Sequence, residues 1–163
     1  MRYNKPAMKK LKFYLDTSVL NFALTDKPEL ALQKKATVDL LDEIRQSKYE
    51  GCISDQVFIE IERASPPEIE ALKNLINTLD LEVLTINKET ESLADKYVSE
   101  GLIPLKYRED ALHIAIATIN EADLIVSWNF EHIVKMKTKH GVIAVNTLLG
   151  YKAVEIISPQ EVG

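Results

Sequence analysis

Short apolar runs alternate along this chain with helical patterns, and this alternation limits the folds that are open to it. We interpret five runs as strands, at residues 12–15, 52–54, 82–85, 124–127 and 142–145. Helical patterns separate them at residues 28–47, 66–79, 88–100 and 110–121. Strands that alternate with helices predict an α/β fold in which a parallel sheet is covered by helices on both faces.

The helical patterns also predict which side chains are buried. Residues 110–121 are apolar on nearly all sides, so we expect this helix to lie against the sheet. The pattern at residues 88–100 ends before Gly101, which is suited to a helix C-cap. Each of the other two patterns has one apolar stripe, formed by Thr37, Leu40, Leu41 and Ile44 and by Ile69, Leu72, Ile76 and Leu79.

Length and composition indicate a single soluble domain. A chain of 163 residues suits one core, so we predict one domain over residues 1–163, with residues 1–10 as a candidate flexible tail. No apolar run approaches the ~20 residues of a membrane span, which predicts no membrane partner. The first residues lack the uninterrupted apolar stretch of a secretory signal, so we expect a cytoplasmic protein.

The charge and the single cysteine exclude some classes of function. The net charge of −5 argues against a protein that holds long duplex nucleic acid by bulk positive charge. It is compatible with an enzyme that meets RNA at one local site, where bound cations offset its acids. Cys52 alone cannot form an internal disulfide or a cysteine metal cage, and its apolar neighbours favour buried packing.

Three acids stand at positions of chemical interest. Asp16 ends the first strand, Glu60 lies on the apolar stripe of a helix that follows the second strand, and Asp110 opens the apolar helix. Each has a simpler interpretation. Asp16 suits a helix N-cap, Glu60 could pair with Arg63 or a lysine, and Asp110 favours the positive end of a helix dipole. His113 is interpreted as a hydrogen-bonded core residue.

The topology brings the three acids to one edge of the sheet. Helices between parallel strands begin at the carboxyl ends of the strands, where ligands bind in open α/β sheets. Helical side chains tilt toward the N-terminus, so Asp16, Glu60 and Asp110 should all face this edge. Three carboxylates that meet there repel one another unless a cation joins them, and Mg²⁺ prefers oxygen ligands. The sequence therefore predicts a metal site formed by these residues.

Other phosphate-binding sites on similar sheets lack their signatures here. The stretch after Asp16 has no glycine, which excludes a dinucleotide fingerprint and a P-loop. A phosphatase of the D-x-D type would need an acid where Ser18 stands. A phospho-receiver domain would need a pair of acids at the end of the first strand, where this chain has only Asp16.

The motifs around these acids resemble those of PIN domains. The four segments, in the expected order, are LDTSVLN at residues 15–21, SDQVFIE at 54–60, DALHIAIA at 110–117 and ADLIVSWNFEHI at 122–133; the ending IISPQE at 156–161 is similar too. The resemblance covers the chain from about residue 12 to its end. It implies a five-stranded parallel sheet and RNA cleavage that depends on Mg²⁺ or Mn²⁺. It often implies a VapC-type toxin, which usually dimerises and is silenced by a small antitoxin covering the acidic cleft.

One position departs from the commoner family pattern. Asn129 stands where many members have a fourth acid. An amide oxygen can bind Mg²⁺ without contributing charge, so a second metal ion would be held less firmly. Asn129 and His132 are equally well interpreted as turn-forming and helix-capping residues. Asp123 precedes its strand and should lie at the opposite edge.

The resemblance predicts a metal-dependent endoribonuclease, with Asp16, Glu60 and Asp110 as catalytic residues and these three with Asn129 as metal ligands. We expect Asp16 and Asp110 to bind the metal directly and Glu60 to bind metal or to orient water. Two rival hypotheses are a catalytically silent PIN fold that acts as a binding module and a phosphohydrolase of small molecules. Lys106, Arg108 and the lysines at 135, 137 and 139 are interpreted as solvated surface charge, with contact to phosphate as the alternative.

Overall fold

A single parallel sheet organises the protein. The computed structural model describes residues 9–163, so most of the tail expected at residues 1–10 lies outside the described residues. The strands are β1 (Lys12–Leu15), β2 (Glu50–Ser54), β3 (Glu82–Leu84), β4 (Leu124–Val126) and β5 (Glu155–Ile157). They pair in the order β3-β2-β1-β4-β5, and every neighbouring pair is parallel. The strand order reverses between β1 and β4, which is where ligands bind in such sheets.

Helices cover both faces of the sheet, as the alternation of elements predicted. One layer consists of α1 (Thr17–Leu24), α2 (Ala31–Arg45), α3 (Asp55–Ile61) and α4 (Pro66–Asn77). The other consists of α5 (Lys88–Ser99), α6 (Arg108–Ile119) and α7 (Met136–Leu149). Short 3-10 turns lie at Pro28–Leu30, Leu105–Tyr107 and Pro159–Glu161.

The central strand distributes its side chains between the two layers. Phe13 and Leu15 pack in the core on the α1–α4 side, whereas Tyr14 packs with α5, α6 and α7. This follows from the period of two in a strand, where successive side chains point to opposite faces. The expectation that the apolar helix lies against the sheet is confirmed, since every residue of α6 from Ala111 to Thr118 is buried.

One predicted strand is wrong. Residues 142–145 belong to α7, and the fifth strand is β5, only three residues long, within the closing segment. A short apolar run does not by itself distinguish a strand from a buried helix. The buried residues Thr138, Val142 and Val145 are four and three positions apart, which is the spacing of a helical stripe. The helix ends at Gly150, whose φ of 77° is left-handed and favours glycine.

The other predicted boundaries differ from the observed ones by a few residues. The predicted stripe of α2 is confirmed, because Thr37, Leu40, Leu41 and Ile44 are its buried residues. Cys52 is a buried free thiol, in agreement with its predicted packing role. In the described part of the chain, every helix is too short or too polar to span a bilayer.

Candidate active site

A cleft of about 270 Å³ lies at the carboxyl ends of β1 and β4. The structure brings Asp16, Glu60, Asp110 and Asn129 together in its lining, where they are joined by Thr17, Ser18, Asn21 and His113. Asp16 follows β1, Glu60 lies on α3, Asp110 is in the first turn of α6, and Asn129 follows β4. Four separate elements therefore contribute one candidate residue each to the same small volume.

Asp16 caps the N-terminus of α1 and also lines the cleft. Its Oδ1 accepts hydrogen bonds from the Val19 N–H at 3.3 Å and from the Ser18 hydroxyl at 2.5 Å. Its Oδ2 accepts a hydrogen bond from the Ser127 hydroxyl. Burial raises the pKa of Asp16, although the charge of His113 and the bonds from the two serines act in the opposite direction. The capping role and the position in the cleft are thus compatible.

Glu60 has a partner that the sequence did not suggest. Its Oε2 accepts hydrogen bonds from the Thr17 hydroxyl at 2.5 Å and from His113 Nε2 at 2.7 Å. Arg63, which the sequence offered as a partner, instead forms a salt bridge with Glu109. The side chain of Glu60 is 19% exposed, so it reaches the cleft while Thr17 and His113 fix its Oε2 by hydrogen bonds.

His113 is a hydrogen-bonded core residue, as interpreted from the sequence, and it is only 1% exposed. Its Nδ1 is hydrogen-bonded to the Tyr14 hydroxyl at 2.6 Å, and that hydroxyl is hydrogen-bonded to Ser54 at 2.7 Å. Burial lowers the pKa of His113. The hydrogen bond to Glu60 and the negative charges of Glu60, Asp16 and Asp110 outweigh burial, so the pKa is raised overall.

Asp110 lies beside a second histidine. Its Oδ2 is 3.1 Å from Nδ1 of His132, whose ring stacks on Tyr107 with 4.0 Å between the centroids. Burial raises the pKa of Asp110, while the charges of His113 and His132 and the amide of Asn129 act to lower it. Asp110 therefore faces a histidine and an amide where a fourth acid would stand in the commoner pattern.

Asn129 forms a turn and lines the cleft at the same time. Its Oδ1 accepts a hydrogen bond from the His132 N–H at 3.0 Å, and its own N–H donates to the Ser127 hydroxyl at 2.9 Å. The turn-forming interpretation is therefore confirmed for Asn129. Asp123 lies at the amino-terminal edge, as expected, where it accepts a hydrogen bond from the Lys12 N–H.

The residues that support the acids were missed by the sequence analysis. Thr17, Ser18 and Ser127 bind the carboxylates of Glu60 and Asp16, and Tyr14 anchors His113. Tyr14 carried a usable signal, because a tyrosine in the middle of a buried strand needs a partner for its hydroxyl. Arg108 pairs with Asp95 at 2.6 Å, and neither it nor Lys106 lines the cleft.

Each of the three carboxylates already has a protein partner. Within residues 9–163, His, Cys, Asp and Glu side chains do not form a group of three or more that could hold a metal ion as they stand. The acids that line the cleft are nevertheless of one chemical kind, since Asp16, Glu60 and Asp110 all carry carboxylate oxygens, while the amide oxygen of Asn129 accepts the His132 N–H. Oxygen ligands are the type that hard divalent cations select.

Comparison with known proteins identifies the fold. No protein-family model matches the sequence, and no curated protein matches it. Among solved structures, the chain is similar to a chain in the crystal structure of VapBC2 from Rickettsia felis bound to a DNA fragment from their promoter. The TM-score is 0.55 at 12% identity, over 91% of this chain and 98% of that chain. At this identity the likeness concerns the fold, which is PIN-like, with a five-stranded parallel sheet between two layers of helices.

Proposed function

We propose that this chain is an endoribonuclease dependent on Mg²⁺ or Mn²⁺ and the toxin of a toxin–antitoxin pair. The observation that carries the proposal is the meeting of Asp16, Glu60, Asp110 and Asn129 in one cleft at the carboxyl edge of a PIN-like sheet. Three carboxylates in a cleft of about 270 Å³ repel one another, and a divalent cation would offset this repulsion.

The donor set fits such a cation. Asp16 and Asp110 would be direct ligands, and Glu60 would bind the ion or orient water. Asn129 would add a neutral oxygen through the second lone pair of its Oδ1, which already accepts the His132 N–H. Burial raises the pKa values of Asp16 and Asp110, which means that the protein groups around them do not fully compensate their negative charge. A bound cation would supply the missing compensation.

The residues around the acids prepare them for this role. When bound, the cation supplies a Lewis acid for the scissile phosphate and lowers the pKa of water. Ser18 and Ser127 fix the carboxylate of Asp16. Thr17 and His113 both bind Oε2 of Glu60, which leaves Oε1 to receive water or a ligand. The fixed carboxylates reduce the reorganisation needed during the reaction.

The toxin role rests on the four PIN-like motifs together with the fold shared with a chain of VapBC2. We propose a homodimer and a small cognate antitoxin that covers the acidic cleft. The test is co-expression with the product of any short gene that overlaps this one, followed by purification and light scattering. The proposal predicts a stable complex in which RNA cleavage is suppressed. Unchanged cleavage in the presence of that protein would contradict it.

Metal-dependent cleavage tests the enzymatic part. Purified protein is treated with EDTA and then incubated with single-stranded RNA while Mg²⁺ or Mn²⁺ is titrated in. We expect cleavage to begin only when metal is restored and to stop again when EDTA is added in excess. Cleavage that is indifferent to EDTA would contradict the proposed metal site.

One set of contacts favours a second candidate, a silent PIN fold that binds RNA or protein. Asn129 brings no charge to the cleft, and His132 already lies against Asp110. A protein of this type would bind RNA without cutting it at any metal concentration. The same titration, followed for both binding and cleavage, therefore separates the two candidates.

A further inference from the structure

We propose that a second groove, next to the acidic cleft, binds the single-stranded RNA that flanks the scissile phosphate. This inference rests on the proposed ribonuclease function. The groove has a volume of about 450 Å³ and is lined by Phe130, Lys135, Met136, Lys139, His140 and Gln160, among others. This volume lies in the range of ~300–1,000 Å³ that is usual for sites of small organic ligands.

The groove continues from the cleft along the chain. Asn129 lines the cleft and its neighbour Phe130 lines the groove. The other walls are the first turns of α7 and the turn Pro159–Glu161, which follows β5. Both sites thus lie at the carboxyl edge of the sheet, so a strand whose phosphate enters the cleft would lie close to the groove.

Phe130 offers an aromatic surface for a base. It is 52% exposed although it is a large apolar residue. Its ring and that of Trp128 form a T-shaped pair with centroids 6.0 Å apart, and Trp128 is fixed by stacking on Phe22 and by a hydrogen bond to Thr37. The ring is therefore supported by Trp128 on one side, and about half of the residue remains accessible. Aromatic rings presented in this way are the usual stacking platforms for single-stranded nucleic acids.

The lysines of the groove supply positive charge for phosphates. Lys135 is the N-cap of α7, and the Lys139 N–H donates to the Lys135 carbonyl at 2.9 Å, so the two residues lie one turn apart at the start of the helix. In the described part of the chain neither forms a salt bridge, whereas Arg63, Arg108 and Lys152 all do. The acid of the groove, Glu161, accepts a hydrogen bond from the Ser158 N–H at 2.7 Å. The lining of the groove therefore carries a net positive charge, although the net charge of the whole chain is −5.

The groove on the other side of the cleft fits RNA less well. It meets the cleft at Asn21 and is lined by Asp26 and Glu68 against the single cation Lys27. Phosphates would be repelled there. An acidic peptide could also bind the lysines at Lys135 and Lys139, but the aromatic surface beside them at the edge of the cleft favours a strand of alternating bases and phosphates.

RNA binding by variants tests the inference. The probe is a fluorescein-labelled single-stranded RNA of about 12 nucleotides, a length within the site sizes of such proteins. Its anisotropy is measured with Asp16→Asn protein, so that binding is observed without cleavage. Phe130→Ala should weaken binding about 5- to 150-fold, the equivalent of one lost base stack, and Phe130→Tyr should retain it. Lys139→Gln should reduce the salt dependence of log K by about 0.7.

Lys137 provides the matched control, because it lies on the same helix and is exposed but does not line the groove. Lys137→Gln should leave both the affinity and the salt dependence unchanged. In one outcome, Phe130→Ala and Lys139→Gln bind RNA with the same affinity as Lys137→Gln, and the protein with Asp16 intact cuts RNA. That result would overturn the proposed role of the groove and leave the proposed ribonuclease function in place. If the protein neither binds nor cuts RNA, both proposals fall. If Lys139→Gln weakens binding of a poly-glutamate peptide but not of RNA, the groove binds protein and the inference is overturned.

Discussion

The Nε2 atom of His113 lies 2.7 Å from Oε2 of Glu60, and this bond connects a helix of one layer with a helix of the other. The connection continues through Tyr14 of the central strand to Ser54 at the end of β2. Because a carboxylate can only accept a hydrogen bond, the imidazole must donate from Nε2, and its orientation is set by Tyr14 at Nδ1. A buried chain of side chains thus determines where Glu60 meets the cleft.

Breaking this chain should affect both stability and metal binding. His113→Leu leaves Tyr14 and Glu60 without their shared partner, so we expect the free energy of unfolding to fall by about 1–3 kcal/mol. The metal concentration at half-maximal cleavage should rise about 10- to 100-fold, as is usual when a residue that orients a metal ligand is lost. His113→Gln retains a donor and should recover part of the metal affinity. An unchanged metal midpoint in His113→Leu would show that His113 serves packing alone.

The raised pKa of Asp16 predicts how stability depends on pH when EDTA is present. Burial favours the protonated carboxyl, so the contribution of Asp16 to stability is present below its ordinary pKa of 3.8 and is lost as the pH rises through the raised value. Asp16→Asn cannot ionise and should therefore be more stable than the wild type at neutral pH. Urea unfolding over a pH series should show this advantage shrinking as the pH falls toward 3.8. An advantage that does not vary with pH would contradict the prediction.

Divalent metal should stabilise the folded protein. A ligand that binds only the native state adds about 2.7 kcal/mol at a concentration of 100 Kd. Thermal unfolding in increasing Mg²⁺ or Mn²⁺ should show a rising Tm for the wild type and a smaller rise for Asp110→Asn. Asp39 is an exposed acid on α2, so Asp39→Asn is the control, and its Tm should rise with metal as much as that of the wild type. Equal shifts in all three proteins would place the stabilising metal outside the cleft.

Asn129→Asp tests the position at which this chain departs from the commoner pattern of the PIN domains that its motifs resemble. An aspartate can still accept the hydrogen bond from the His132 N–H, so the turn should be kept. The variant loses the amide that lowers the pKa of Asp110 and adds a negative charge beside it. We expect lower stability in EDTA and a lower metal concentration at half-maximal cleavage. A metal midpoint equal to that of the wild type would limit Asn129 to its role in the turn.

The sequence predicted four of the five strands and the positions of the acids because these depend on local patterns. Asp16 follows a strand directly, and Asp110 lies in the first turn of an apolar helix, so topology alone brings them to one edge. The bond between His113 and Glu60 joins residues 53 positions apart and depends on side-chain packing that no local pattern encodes. The error at residues 142–145 has a different cause. There, β-branched residues suited to a strand lie on a helix because Val142 and Val145 complete its buried stripe.

The most direct test of the proposed site is RNA cleavage by Asp16→Asn and Asp110→Asn in saturating Mg²⁺, measured beside the wild type and the Asp39→Asn control. Removal of a direct metal ligand should cost at least ~100-fold, the upper end of the range found for residues that support such ligands. We predict that both cleft variants lose at least this factor while they remain folded and that Asp39→Asn cuts at the wild-type rate. Cleavage by both cleft variants at the wild-type rate would contradict the assignment of the active site.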